Sequence, residues 1–319
     1  MAAGCIALAG CAREKVVLTR LPDRVRVEIG GKLFSEYRFT GAHYPYFYPV
    51  LAADGTALTR KFPMESPPGE DHDHPHQRSL WFAHGFVNGV DFWNEGTAGT
   101  NLPKGIIAHE VLLETTDGRV GVLRAGSRWL SPDGRLICTD ETTVRIQAAG
   151  EARILDYEVT LHALPDAPLL LGDSKEGTMA VRIAQWMTPP HKYGKENLPG
   201  AGHIVTSAGD RDAAAWGKRA DWCDYFAPHE GKTYGIAIFD DPRNLRHPTW
   251  WMARDYGLFG ANPFGRSSFE SLKDSHAGDY TVPAGGSLTF RYRFYFHSGD
   301  AETAHIADRY REFTEEAKP

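Results

Sequence analysis

The chain is expected to fold as an all-β protein, one large antiparallel β-sandwich closed by a single C-terminal helix. Three observations predict this. Segments in which apolar and polar residues alternate recur along most of the 319 residues, which is the period of a strand with one buried face. Turn sequences rich in Gly, Pro and Asp separate them. No strand pattern is followed by helical periodicity of the kind a βαβ unit needs. With 42% hydrophobic and 24% charged residues, the chain can bury a sizeable core.

Taken in order, Val25, Val27 and Ile29 alternate with Arg24, Arg26 and Glu28, and Gly30-Gly31 then precedes residues 33–39, which reads as a hairpin with a tight glycine turn. Residues 44–50 are dense in aromatics, but Pro45 and Pro49 point to an edge strand or a packed loop. Residues 60–105 have the Pro, Gly, His, Asp and Trp content of a long structured loop system. Strands resume at 106–114, 120–130, 136–146 and 154–162, with a Ser131-Pro132-Asp133-Gly134 turn between the second and third. Residues 169–172 and 179–186 flank a polar turn, 189–230 form a second loop region, and 234–239 and 288–296 are further strands. Ile306, Tyr310, Phe313 and Ala317 fall at helical spacing after Asp300, which can serve as N-cap.

The first residues are small and apolar, and Leu8-Ala9-Gly10-Cys11 resembles a bacterial lipobox, although the positive segment of a complete signal is lacking. Residues 1–20 are therefore expected to be a signal-like segment and linker, with Cys11 as a lipid anchor and a cell-envelope location, periplasmic or lipid-anchored. Residues 21–319 are expected to form one domain. No stretch reaches the ~20 apolar residues of a spanning helix. A formal net charge of -6 with scattered Lys and Arg argues against a nucleic-acid partner. The partner expected is a small-molecule carbohydrate. Cys138 and Cys223 belong to no CxxC motif and read as buried free thiols.

The segment from Asp71 to Gly85 holds four of the chain's 14 histidines. Packing does not require them, and imidazole suits proton transfer or metal binding near neutral pH. In His74-Pro75-His76 proline biases the backbone to extended geometry, which would point both rings to one side and begin a site for a divalent metal ion. A third ligand could come from His84, Glu176 or His247. The other reading gives His74, His76 and His84 acid-base work beside Arg78. Trp81 and Trp93 would offer flat faces to a sugar, with Asn88, Asp91 and Asn94 as hydrogen-bond partners. His72 and Gln77 read as bystanders. A second group is Gly172-Asp173-Ser174-Lys175-Glu176-Gly177 with Arg182 on the next strand; taken alone it reads as a solvated turn. A third is a ligand rim or a packed loop containing His247, Trp250, Arg254, Asp255 and Asn262, and Trp216, Arg219, Trp222 and Tyr225 form a weaker fourth. There is no nucleophile elbow, zincin motif or dinucleotide fingerprint.

At residues 73–85, 87–93, 172–179, 248–258 and 262–265 the sequence resembles the bacterial family labelled methane oxygenase PmoA-like, a domain of otherwise unknown function. That family tends to carry His-His-Arg where this chain has His76-Gln77-Arg78. The resemblance implies a galactose mutarotase-like supersandwich, a fold that commonly binds sugars on one sheet, and gives the Lys175-Glu176 turn a site role. The function expected is a carbohydrate-active enzyme of epimerase, isomerase, lyase or hydratase type. In it His74, His76, His84 and Glu176 move protons, Lys175 and Arg78 stabilise an enolate-like oxygen, and Trp81, Trp93 and Trp250 touch the ring. The alternatives are a non-catalytic glycan-binding lipoprotein and a metal-dependent oxygenase.

Overall fold

The computed structural model describes residues 14–96, 99–193 and 195–316. Cys11 and Ala317 lie outside the described residues, and the lipid-anchor expectation lies there with Cys11. The twenty strands, in chain order, are β1 (Val16–Arg20), β2 (Arg24–Ile29), β3 (Lys32–Arg38), β4 (Tyr46–Val50), β5 (Leu80–His84), β6 (Ile106–Thr116), β7 (Val120–Leu130), β8 (Leu136–Ala149), β9 (Ala152–Ala163), β10 (Leu169–Leu171), β11 (Gly177–Arg182), β12 (His191–Tyr193), β13 (Glu196–Leu198), β14 (His203–Thr206), β15 (Trp222–His229), β16 (Lys232–Asp240), β17 (Trp250–Ala253), β18 (Leu258–Asn262), β19 (Tyr280–Val282) and β20 (Ser287–Ser298). Eight form one sheet in the order β1-β2-β3-β4-β5-β11-β18-β17, and eight form a second in the order β14-β15-β16-β20-β9-β8-β7-β6. All neighbours within the two sheets pair antiparallel. β10 with β19, and β12 with β13, make two small ribbons.

The core fills the space between the sheets. Phe82 of β5 meets Trp129, Tyr157 and Phe290 of the second sheet at ring separations of 6.4, 6.5 and 6.1 Å, and Phe34 of β3 meets Phe296 at 5.7 Å. Aromatic burial of this kind dominates the energetics of a sandwich core. Helix α1 (Arg266–Phe269) is a single turn, and α2 (Ile306–Glu316) lays Ile306 and Phe313 on the outside of the second sheet, against Phe239. Asp300 accepts from Thr303 N at 2.8 Å, ahead of the helix that begins at Ile306. Cys138 and Cys223 are free and buried, as expected.

Four expectations change. The boundary at residue 20 moves, because Val16–Arg20 pairs with β2 along its whole length and belongs to the sheet. Residues 44–50 do not make an edge strand: β4 lies inside the sheet between β3 and β5. Its Pro49 is tolerated because the pairing with β5 ends at Tyr46 and Phe47 and the β3 register is irregular there. The loop system of residues 60–105 contains β5, whose five residues are all buried and so show no alternation. The second loop region, 189–230, likewise holds β12 to β15.

Candidate active site

Two adjacent strands, β5 and β11, carry the site between them, and the segment before β5 folds over their ends. Residues 74–77 form a β-turn, with Gln77 N donating to His74 O at 2.9 Å and Pro75 at its second position. His74 takes φ +42°, uncommon outside glycine, so the extended His74-Pro75-His76 geometry expected from the sequence does not occur. The two rings stand edge to face at 82° with centroids 5.7 Å apart. They also differ in exposure: the His74 side chain is 42% exposed, whereas His76 is 3% exposed.

Beneath the turn, two guanidinium groups, each 1% exposed, share the Asp73 carboxylate. Arg182 Nη2 donates to Asp73 Oδ1 at 2.9 Å and its Nη1 to Gln77 Oε1, while Arg60 bonds Asp73 and the carbonyls of Phe62, Asp71 and His74. The other carboxylate oxygen bonds His74 Nδ1 at 2.6 Å. Burial pushes the Asp73 carboxyl up, but the His74 hydrogen bond and the two arginine charges outweigh it, and the group lies well below the usual carboxylate range. Asp73 is therefore an anion that orients His74 through Nδ1, and no group among the described residues bonds His74 Nε2.

Tyr256 completes this centre. Its ring stacks on His74 at 5.3 Å and 2°, and the Arg182 guanidinium lies 4.7 Å from its centroid. Burial raises its phenol pKa; Arg182, Arg254 and the Gln77 hydrogen bond lower it, and Glu176 raises it, so these charges act at one place. Tyr256 sits in the turn between β17 and β18, closed by Gly257 N donating to Arg254 O at 3.0 Å. Tyr225 of β15, on the opposite sheet, pins that turn by donating to Arg254 O at 3.1 Å. Trp216 supports the Arg254 guanidinium at 3.3 Å and meets Phe269 edge-on at 5.2 Å.

Next to Lys61 and Asp71 opens a cleft of about 690 Å³, walled by Pro67, Pro68, Trp186 and Leu198 with Glu70, Asp71 and Gln185 among them. Trp186 is fixed there by its Nε1 bond to Ala57 O (3.2 Å) and by stacking on His229 at 4.1 Å. The buried Asp71 bonds His191 Nε2 at 3.2 Å, and its carbonyl accepts from the same Arg60 Nη1 that reaches Asp73. A smaller depression of about 220 Å³ between β9, β20 and α2 is lined by arginines already paired with carboxylates, as Arg291–Glu158 and Arg293–Asp156 show.

Thus the structure places His74, His76 and Arg182 around one turn, although the two rings do not share a side, and the charges of Arg254 and Glu176 reach Tyr256. Other expected residues take structural work. Trp81, Trp93 and Trp250 are 1%, 0% and 3% exposed, too buried to offer a face to a sugar ring. His84 faces Gly172, with Nε2 to its carbonyl at 2.8 Å, and packs on Phe264. Arg78 is bidentate to Glu95. Asp91 is a loop hub for Asn94, Thr100 and Lys104, and Asn88 ties its turn to Pro168 and Leu170. His247 lies between Asp240 and Asp221. Asn262 holds Phe264 N, Gly265 N and Ser174 O, and so fixes the Lys175-Glu176 turn, whose two side chains pair at 2.8 Å. Asp255 is exposed. Gln77, which the sequence alone reads as a bystander, is 1% exposed and bonded to Arg182. Arg60, Asp73 and Tyr256 were not singled out. Asp73 beside His74 was the available signal.

The expected divalent-ion site does not find its donors. The His74 and His76 rings stand edge to face, one exposed and one buried, and among the described residues no three His, Cys, Asp or Glu groups gather where one cation could be held. Burial, aided by the charges of His74, Arg60 and Arg182, pushes His76 down to about 3, with Asp91 pulling the other way; burial pushes His84 down to about 4. Both lie below the ordinary 6.5, so between those values the unfolded chain binds protons that the folded protein does not. Stability is then full above about pH 6.5 and falls with acidification, by up to ~1.4 kcal/mol per pH unit for each ring. Asp140, which burial pushes up to about 6, contributes in the opposite direction below that pH, so the histidine share is read by difference. The change in urea midpoint between about pH 6.5 and 4.5 should be less unfavourable in His76→Gln than in the wild type, and an identical pH profile in that variant would mean that His76 is charged in the folded state.

Residues 24–311 match the model of a family described as a family of unknown function (DUF6807), and the chain belongs to that family. No curated protein matches the sequence. Among solved structures, the chain is similar to a GH36 α-galactosidase from Geobacillus stearothermophilus (13% identity, TM-score 0.42, 89% of this chain and 41% of that one). It is also similar to a polysaccharide lyase (12%, 0.34, 96% and 34%) and to a galactose mutarotase-like protein from Lactobacillus casei ATCC 334 (9%, 0.30, 88% and 100%). The chain therefore spans about two fifths of the length of that α-galactosidase and a third of that of the lyase.

Proposed function

We propose that this member of a family of unknown function is a carbohydrate-active protein that transfers a proton on a sugar, with the Asp73–His74 dyad as base and Tyr256 as its acid partner. The observation that carries this reading is His74 itself, a half-exposed imidazole oriented through Nδ1 by a partly buried, arginine-held carboxylate and stacked on a tyrosine. A base fixed in this way meets its substrate in one orientation and needs little reorganisation. The neighbouring cleft supports a sugar as ligand, since proline, leucine and tryptophan walls interspersed with carboxylates and an amide suit a ring with apolar C–H faces and polar hydroxyls. Epimerisation, isomerisation and elimination all begin with such a transfer. The same reading keeps the PmoA-like resemblance of the motifs and an envelope location with a lipid on Cys11.

Incubation with a panel of sugars in D2O tests it, with C–H to C–D exchange followed by proton NMR. Exchange in at least one sugar, abolished in His74→Gln, is the expected result. The second reading, glycan binding without chemistry, is favoured by the lining of the cleft, which includes neither His74 nor Tyr256. Binding without exchange would assign it.

A further inference from the structure

Three guanidinium groups act on this centre, and their hydrogen bonds separate them: Arg60 and Arg182 hold Asp73, while Arg254 lies two residues from Tyr256 in the turn closed by Gly257 N and its charge is felt at the Tyr256 phenol. Arg60 and Arg182 are enclosed and occupied by Asp73, Gln77 and main-chain carbonyls. Arg254 is half-buried and rests on the Trp216 ring at 3.3 Å, a distance that only the flat face of a guanidinium can adopt. No carboxylate or carbonyl among the described residues accepts a hydrogen bond from its side chain, so the N–H edge is available. The backbone behind it is fixed, with Arg254 N bonded to Leu258 O at 2.8 Å and Arg254 O taking Tyr225 OH. The other charges nearby leave this edge without an anion of its own: Lys175 pairs with Glu176, Asp73 is shared by two arginines, and the exposed Asp255 makes no bond to it.

A ring C–H is not acidic alone. Its removal needs a neighbouring group that can take the electron pair, and a carboxylate does so once its charge is neutralised by a bidentate donor. Resting on the proton-transfer reading above, we propose that Arg254 is a carboxylate-binding residue and that the substrate is an acidic sugar, a uronate, held by its carboxylate with the adjacent C–H toward His74. His74 Nε2 takes that proton, and the electron pair spreads into the carboxylate on Arg254. It then returns to form a carbon–carbon double bond as the oxygen substituent on the next carbon leaves. The leaving oxygen takes the Tyr256 hydroxyl proton. One C–H and one C–O bond break, and no oxidant or reductant is consumed.

Calorimetric titration with linear trimers of galacturonate, mannuronate and glucose tests this. An acidic trimer is expected to bind at least about tenfold more tightly than the glucose trimer, the worth of one charge-assisted contact. Arg254→Gln should lower acidic binding to the neutral level with an unchanged melting temperature, and Arg254→Lys, which keeps the charge but loses the fork, should fall between. Equal binding of acidic and neutral trimers, or an acidic preference that survives in Arg254→Gln, overturns the assignment of Arg254 and leaves the proton-transfer reading standing. No binding by either acidic trimer overturns the acidic-sugar assignment. Absence of exchange from every sugar in D2O overturns the reading beneath it.

Discussion

His74→Gln should slow proton exchange on the converted sugar by about 10²–10⁴-fold, the range a positioned general base contributes. Glutamine is close to imidazole in length and can still meet Asp73, so the turn built on Pro75 and closed by Gln77 N should persist. What it lacks is a basic nitrogen. The contrast with His76→Gln is the sharper measurement, because His76 is buried and held neutral by its surroundings, and its replacement should show mainly as altered stability. If both variants exchange like the wild type while circular dichroism reports a native fold, the dyad is not the base.

Asp73→Asn should cost about 3 kcal/mol of stability, measured by urea denaturation near pH 7. Removing one partner of a buried ion pair typically costs ~3–5 kcal/mol, and the lower end applies because the Asp73 side chain is 18% exposed. The loss is large because two guanidinium groups depend on one carboxylate, and the asparagine would leave Arg60 and Arg182 facing each other without a counter-charge. Their mutual repulsion is already felt in the intact protein: burial and Arg182 together lower the Arg60 pKa to about 10. A second substitution, Arg182→Met, should therefore recover part of the loss, so the double variant should be more stable than the sum of the two single effects. Strict additivity would indicate that the three groups do not share one electrostatic centre.

Much of the sandwich was legible because one-faced strands alternate. The run from Ser287 to Ser298 and the hairpin turning at Gly30-Gly31, where both residues adopt positive φ, announce themselves locally. β5 did not, since a strand buried on both faces loses its period, and Leu80-Trp81-Phe82-Ala83-His84 reads equally as a packed loop. The site was legible as a segment and not as a geometry. Histidine crowding pointed to residues 71–85, but the sequence could not show that His74 turns out at positive φ while His76 turns in. Nor could it show that Arg60, thirteen residues before Asp73, and Tyr256 close on the same point. Tryptophans suggest a sugar platform by residue type, whereas Trp81 and Trp93 are core residues packed at a tilt with ring centroids 5.0 Å apart. Trp186, from a stretch read as strand, faces the cleft instead.

The bond from Tyr225 to the Arg254 turn crosses from one layer of the sandwich to the other. His74 is carried by the sheet of β5 and β11, while the height of Tyr256 and Arg254 above it is set partly by a hydroxyl rooted in β15. The spacing between the layers thus acts as a gauge for the distance between His74 and Tyr256. Core substitutions well below the surface, such as at Phe259 where Tyr225 packs at 5.8 Å, would reach the His74–Tyr256 stack by changing that gauge without touching either residue.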